Sequence, residues 1–208
     1  MAELKLRAAP GAIGGNTLAT AGTADTILLR ELPLAGCVNL RLDPRDHAAL
    51  AAASSALGMA ALPPAPNTWV AAPGLEILWQ AYDEWLLVTT DAKRSALETA
   101  LRNALHGSHH ALTDVSDQRA AFELSGPHTW DVLQKGCAVD LHPRVFTELA
   151  CVQTALARVR VTLRRMNEPA TCQVLVERSY AQYLWDWLND AALEYGVTSG
   201  PVTSDEDS

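Results

Sequence analysis

Two histidines, His109 and His110, stand side by side, and the run Asp114-Val115-Ser116-Asp117-Gln118-Arg119 follows closely. Imidazoles ligate metals, and paired carboxylates do acid–base work when their surroundings separate their pKa values. Adjacent residues point apart in most backbones, however, and no third ligand stands at helical spacing from the histidine pair. The pair reads as polar residues of a loop. Asp114 and Asp117 flank the start of a strand, where Asp commonly turns the chain. They read as turn residues, as does Asp83-Glu84 before another strand. His47 falls in a first helix, His128 on the first turn of a central helix and His142 in a loop before Pro143. Gly14-Gly15 lacks the preceding strand, the following helix and the Lys-Ser/Thr of a phosphate loop.

Arg158, Arg160, Arg164 and Arg165 spread along paired strands, with Glu168 and Glu177 nearby. They read as a charged sheet face or an interface, with a lone phosphate-like anion as the weaker use. Trp185 and Trp187 are two apart on a last helix, so they face different directions. One of them is expected to leave the core and offer a surface to a partner. No GxSxG and no matched cysteine motif occurs. The inventory assigns no catalytic, no cofactor-binding and no metal-ligating residue.

The elements that must position these groups follow from pattern and punctuation. Arg119 to Cys137 is the central unit: a strand, a Ser125-Gly126-Pro127 corner, a helix opened by Pro127 with Trp130, Val132 and Leu133 buried, and Gly136 as its stop. Earlier, Cys37–Leu42 alternates as a strand. Asp43 caps a helix that Pro44 opens and Gly58 ends. Strands at Thr68–Ala71, Glu76–Ala81 and Glu84–Thr89 precede a helix capped by Asp91 and running to Leu105. In the second half, Val152–Met166 gives one long or two short strands, Thr171–Glu177 another, and Ser179 caps a helix over Tyr180–Tyr195. Leu42-Asp43-Pro44 then a helix answers Leu124-Ser125-Gly126-Pro127 then a helix. Trp85–Val88 then a helix answers Gln173–Val176 then a helix.

The expected fold class is therefore α+β. Two similar strand-helix-strands-helix modules, with mainly antiparallel sheets, occupy residues 27–110 and 111–197. An N-terminal arm over residues 1–26 and an acidic, disordered tail over residues 198–208 flank them.

Charge and composition narrow the partners. The chain of 208 residues is 49% hydrophobic and carries a formal net charge of -8. That excess of acid excludes nucleic acid, whose phosphates need clustered Lys and Arg, and an anionic membrane surface. No stretch has the apolar length of a signal peptide or a membrane span. Cys37, Cys137, Cys151 and Cys172 stand singly and read as reduced, mostly buried thiols of a cytoplasmic protein.

The segment DVSDQRAAFELSGPHTWDVLQKGCAVDLHPRVF, preceded by AYDEWLLV and followed by VERSYAQYLWDWL, resembles the gamma subunits of heterotetrameric sarcosine oxidases, from Val38 to Gly196. That family is related to the aminomethyltransferase fold of the glycine cleavage T-protein. The resemblance implies an aminomethyltransferase-like fold and a small, non-catalytic subunit of an oxidoreductase complex. Such a complex oxidatively demethylates sarcosine to glycine, with tetrahydrofolate as one-carbon acceptor and oxygen as electron acceptor. It implies no redox cofactor in this chain, with FAD, covalently bound FMN and NAD in flavin-bearing alpha and beta subunits, and a small delta subunit as a further partner. The T-protein pattern sets a catalytic Asp after a Gly-Gly, with a second acid. Here Asn16 follows Gly14-Gly15 and no acid pair follows, so that role is not carried over. The alternatives are a stand-alone folate-binding aminomethyltransferase-like protein, a subunit of a related N-methyl amino acid oxidase or dehydrogenase, and a small regulatory binding module.

Overall fold

The computed structural model describes residues 26–201 apart from residues 34, 35, 60, 63 and 64. Residues 1–25 of the expected arm, with Gly14-Gly15, and residues 202–208 of the expected tail lie outside the described residues. In chain order the elements are β1 Ile27–Glu31, β2 Gly36–Leu42, α1 His47–Ala56, β3 Trp69–Ala72, β4 Leu75–Ala81 and β5 Glu84–Thr89. Then come α2 Asp91–Ala104, β6 His110–Asp114, β7 Arg119–Ser125 and α3 Thr129–Gln134. The chain ends with β8 Cys151–Leu156, β9 Val159–Arg165, β10 Thr171–Glu177, α4 Ala181–Ala192 and β11 Val197–Pro201.

Two sheets form, ordered β3-β4-β5-β2-β6 and β11-β1-β7-β10-β9-β8. Neighbours are antiparallel except β1 and β11. The orders β2-α1-β4-β5-α2-β6 and β7-α3-β9-β10-α4-β11 are the same β-α-β-β-α-β unit. β3 and β8 are added outside β4 and β9, and β1 is wedged between β7 and β11. The α+β reading with two similar modules and mainly antiparallel sheets matches this architecture.

The sheets do not divide at residue 110, however. β1 belongs to the sheet of the second half, because Ile27 and Leu29 are buried in that core and Leu28–Glu31 pair with Phe122–Ser125. β6 starts at His110 and belongs to the first sheet, where it pairs with Val38–Leu42. The tail boundary also moves: Thr198–Pro201 continue β11 beside β1.

Strand alternation builds four layers. One face of the first sheet (Val38, Leu40, Ile77, Leu87) packs on Ala49 and Ala53 of α1 and Leu101 of α2. One face of the second (Phe122, Leu124, Val161, Val174) packs on Val132 of α3 and Leu184, Trp185 and Leu188 of α4. Each such fully buried Leu or Phe contributes about 1.5–3 kcal/mol. The remaining faces meet each other through a thin apolar cluster that includes Cys37, Leu78, Leu86, Cys151 and Leu175.

The helix starts differ from the sequence reading. Asp46, not Asp43, caps α1, accepting from Ala49 N–H at 3.0 Å. Pro44 sits in a turn, and Asp43 holds that turn by accepting from Arg45 N–H at 2.9 Å. Thr90 is the N-cap of α2 and Asp91 its first-turn acid, placed well for the helix dipole. Pro127 also lies in a turn. α3 begins at Thr129, whose hydroxyl donates to Gly126 O at 2.9 Å. Gly126 has φ +126 and lies so close to β1 that a Cβ would sit 2.7 Å from Thr26 O, so only glycine fits this corner. Ser179 lies in a 3-10 turn before α4, whose N-cap Tyr180 makes no side-chain cap bond.

Candidate functional site

The polar residues that do converge lie between the two sheets. Arg164 on β9 alternates away from the helices and is 5% exposed. A buried charge is tolerated only when paired and hydrogen-bonded. Its Nε donates to Gln173 Oε1 at 2.9 Å, and its Nη2 donates to the same oxygen. Nη1 lies 2.8 Å from Glu76 Oε2 of the opposite sheet, in ion-pair rather than hydrogen-bond geometry. The guanidinium also stacks 4.9 Å from the Trp69 ring centroid. Gln173 passes the chain on, its Nε2 donating to Glu123 Oε2 at 3.0 Å. Trp69 Nε1 donates to Arg165 O at 3.1 Å, again from one sheet to the other. This network bolts the sheets together, and its partners are all satisfied within the chain save for the off-axis Nη1.

The four arginines expected to share a face separate. Arg158 has φ +70 in the β8–β9 turn. Arg160 and Arg164 face the other sheet, while Arg165 turns the opposite way, donating to Phe146 O at 2.6 Å and lying 5.4 Å from the Trp130 ring. Asp114 and Asp117 do not converge either. Asp114 accepts from Ser116 N–H at 3.0 Å and from the Ser116 hydroxyl, and it pairs with Arg94 of α2. Buried Ser116 in turn accepts from Cys37 N–H at 2.9 Å. The turn reading of this run holds, and its work is to anchor the end of β6 to β2 and α2.

His109 and His110 line a cleft of about 450 Å³ with Arg41, Asp43, Arg45, Tyr82 and Asp83. His110 is the first residue of β6 rather than part of a loop. Both arginines there are engaged, Arg41 with Asp83 and Arg45 with Asp43, each at 2.8 Å. The Arg45 guanidinium beside Asp43 holds that carboxyl down at about 2. Near α3, His128 Nδ1 lies 2.8 Å from Asp131 Oδ2 and its ring stacks on Tyr195 at 4.3 Å. Among the described residues, no group of three His, Cys, Asp or Glu is arranged to hold a metal ion.

The cysteines are all free thiols. Burial pushes Cys37 up to about 11 and Cys151 up to about 12, and it raises Cys172 and the half-buried Cys137 as well. The thiolate is the nucleophilic form, so these thiols are held inert at neutral pH. Trp185 packs on Phe122 with centroids 5.3 Å apart. Trp187 does not leave the fold. Its ring covers Gly136, where a Cβ would meet it at 2.6 Å. The exposed aromatics of this helix region are instead Tyr180 and Tyr183.

Gln80, Gln153, Gln173, Glu76 and Glu123 carry the inter-sheet layer, and none stood out in sequence. Their signal is positional. In Thr171–Glu177 and Val159–Arg165 the polar residues share the period that opposes the helix-facing Val and Leu set.

The model of the family described as "Sarcosine oxidase, gamma subunit family" matches residues 41–194. Sarcosine oxidase subunit gamma from Arthrobacter sp is 35% identical over 192 residues, covering 91% of this chain and 92% of the relative. The same subunit from Corynebacterium sp. (strain P-1) is 32% identical over 197 residues, 95% of this chain and 94% of the relative. A chain of the heterotetrameric sarcosine oxidase from Corynebacterium sp. U-96, in complex with pyrrole 2-carboxylate, superposes with a TM-score of 0.82 at 31% identity. That match covers 92% of this chain and 97% of the other. Aminomethyltransferase T of the glycine cleavage system from Bartonella henselae gives a TM-score of 0.64 at 14% identity, over 85% of this chain and 48% of its own. At that identity the likeness is one of fold, and the chain spans about half of the transferase. The family match over most of the chain and the shared aminomethyltransferase-like architecture agree, and the chain belongs to the sarcosine oxidase gamma subunit family.

Proposed function

We propose that this chain is the non-catalytic gamma subunit of a heterotetrameric sarcosine oxidase. The complex is an oxidoreductase that oxidatively demethylates sarcosine to glycine in the cytoplasm. The one-carbon unit goes to tetrahydrofolate and the electrons to oxygen. In this reading FAD, FMN and NAD belong to alpha and beta subunits, a delta subunit completes the assembly, and no residue of this chain is catalytic, cofactor-binding or metal-ligating.

One observation carries the proposal: nearly end-to-end similarity to a chain of a heterotetrameric sarcosine oxidase, 92% of this chain on 97% of that one at a TM-score of 0.82. The physical character of the molecule supports it. Titratable groups that would do chemistry are spent on internal work: Asp114 on a turn and Arg94, Arg164 on the inter-sheet bolt, the thiols on burial. What remains is a stiff four-layer body. No helix of the described residues is long and apolar enough to cross a membrane.

Co-expression with flavin-bearing candidate partners tests the proposal. The expected result is a stoichiometric complex that survives size-exclusion chromatography. A stable monomer beside a flavoenzyme fully active without it overturns the reading. Titration of the isolated chain with tetrahydrofolate tests the stand-alone transferase, which predicts saturable binding where the subunit reading predicts none.

A further inference from the structure

The layer between the sheets has two ends, and they are built differently. At the Arg164 end each charge meets a partner from this chain. At the other end lies a cavity of about 180 Å³ whose walls are polar. Arg119, Arg160 and Glu177 line it from the second sheet. Arg119 and Glu177 are directly opposite each other on β7 and β10. Val161 pairs with Val176, so Arg160 and Glu177 are the next residues outward on β9 and β10. The three therefore make a row, Arg–Glu–Arg, across three neighbouring strands. Arg119 Nε is buried without a hydrogen-bond partner among the described residues.

The facing wall belongs to the first sheet. Gln80 is 7% exposed, yet its side-chain contacts are long: 3.4 Å from Thr162 Oγ1 and 3.5 Å to Trp79 O. A buried amide has two donors and an acceptor to satisfy, and polar groups buried in a low dielectric are costly when they are left under-used. Glu84, on the same wall, accepts from Asn39 Nδ2 at 2.6 Å through Oε1, and its Oε2 lies 4.0 Å from Arg41 Nε, at the outer limit of an ion pair.

We propose that this inter-sheet cavity is a binding site for a small zwitterionic amino acid. Arginine's planar fork matches a carboxylate, and Arg119 and Arg160 take the carboxylate end. Glu177 and Glu84 accept from the ammonium end, and Gln80 and Thr162 close the floor. The two signs of charge in one cavity select a zwitterion over a plain anion or a plain amine. The volume fits a molecule of few heavy atoms, being close to the cavity of about 150 Å³ that takes a benzene ring and below the ~300 Å³ at which drug-sized pockets begin. The site does not depend on the subunit reading, since it lies wholly within this chain.

Calorimetric titration of the full chain with glycine and N-methylglycine, beside acetate and methylamine, tests the proposal. Saturable binding of the zwitterions, with acetate and methylamine at least about tenfold weaker, is expected from the loss of a charge-assisted partner. Arg160→Gln is exposed enough to leave folding intact, and it should weaken zwitterion binding about tenfold or more. Arg119→Gln, checked for folding by circular dichroism, should do the same, and Glu177→Gln should erase the preference over acetate. No saturable binding of either zwitterion overturns the proposal, as does binding that Arg160→Gln and Glu177→Gln leave unchanged.

Discussion

Arg164 is the residue whose removal reads out the inter-sheet bolt. Arg164→Ala takes both donors from Gln173 Oε1, the cation from Glu76 and the stacked guanidinium from Trp69. Gln173 is 8% exposed, so its orphaned oxygen costs about 1–3 kcal/mol. Glu76 keeps 30% of its side chain exposed and rehydrates, so its share falls well below the ~3–5 kcal/mol of a fully buried broken pair. With the lost packing of the stem, the sum is about 2–4 kcal/mol. For a chain of this size that lowers Tm by about 5–15 °C. Urea unfolding at pH 7, followed by tryptophan fluorescence, measures it. A second variant makes the test sharp. Arg164→Met with Gln173→Leu and Glu76→Leu removes the cation and both of its polar partners together, leaving the half-buried Glu123 to water, and replacing a buried ionic network by apolar side chains is often neutral or stabilising. The triple variant should therefore recover most of the single variant's loss. A single variant within about 0.5 kcal/mol of the parent, the range of ordinary surface changes, would show that Arg164 does not hold the sheets together, as would a triple variant no more stable than the single.

Three further predictions follow from local geometry. Gly136→Ala drives a methyl into the Trp187 ring at 2.6 Å and should cost about 1–3 kcal/mol by overpacking. The cost should shrink in a Trp187→Leu background, and thermal unfolding of the four variants measures both. Ser116→Ala leaves Cys37 N–H without its acceptor and should cost about 1–3 kcal/mol, read from the urea midpoint. The thiols predict a pH dependence. Unfolded cysteines ionise from about 9.0, whereas burial holds folded Cys37 protonated to about 11. Between those values the folded state binds more protons than the unfolded, so stability falls as pH rises. Urea midpoints at several pH values across that window check it, with a shallower fall expected for Cys37→Ala.

Legibility in the sequence followed the physics of each element. β2 and β5 were readable because their alternation or apolar run is complete, and the helices because periodic leucines and stop glycines frame them. β6 was not, since HALTD buries a single position and so carries no alternation. β1 pairs with strands from the far half of the chain, a partnership that no local pattern encodes. β11 holds Ser, Gly and Pro, which read as tail. In Asp43-Pro44-Arg45-Asp46 two acids compete for one cap, and the turn takes the first. The candidate site was less legible than the fold. Its polar members come from β4, β5, β7, β8, β9 and β10, and only the facing of two sheets brings them together. The arginines were visible as a group, but alternation sends Arg164 and Arg165 to opposite faces.

In the proposed reading this chain builds the oxidase without doing its chemistry. Sarcosine turnover is the measurement that decides this, made on complexes assembled with the parent chain, with His109→Ala/His110→Ala/Asp117→Asn, and without the chain. Turnover should be unchanged for the triple variant, and the intact complex should be lost when the chain is omitted. Turnover that collapses in the triple variant while the complex remains whole would contradict it.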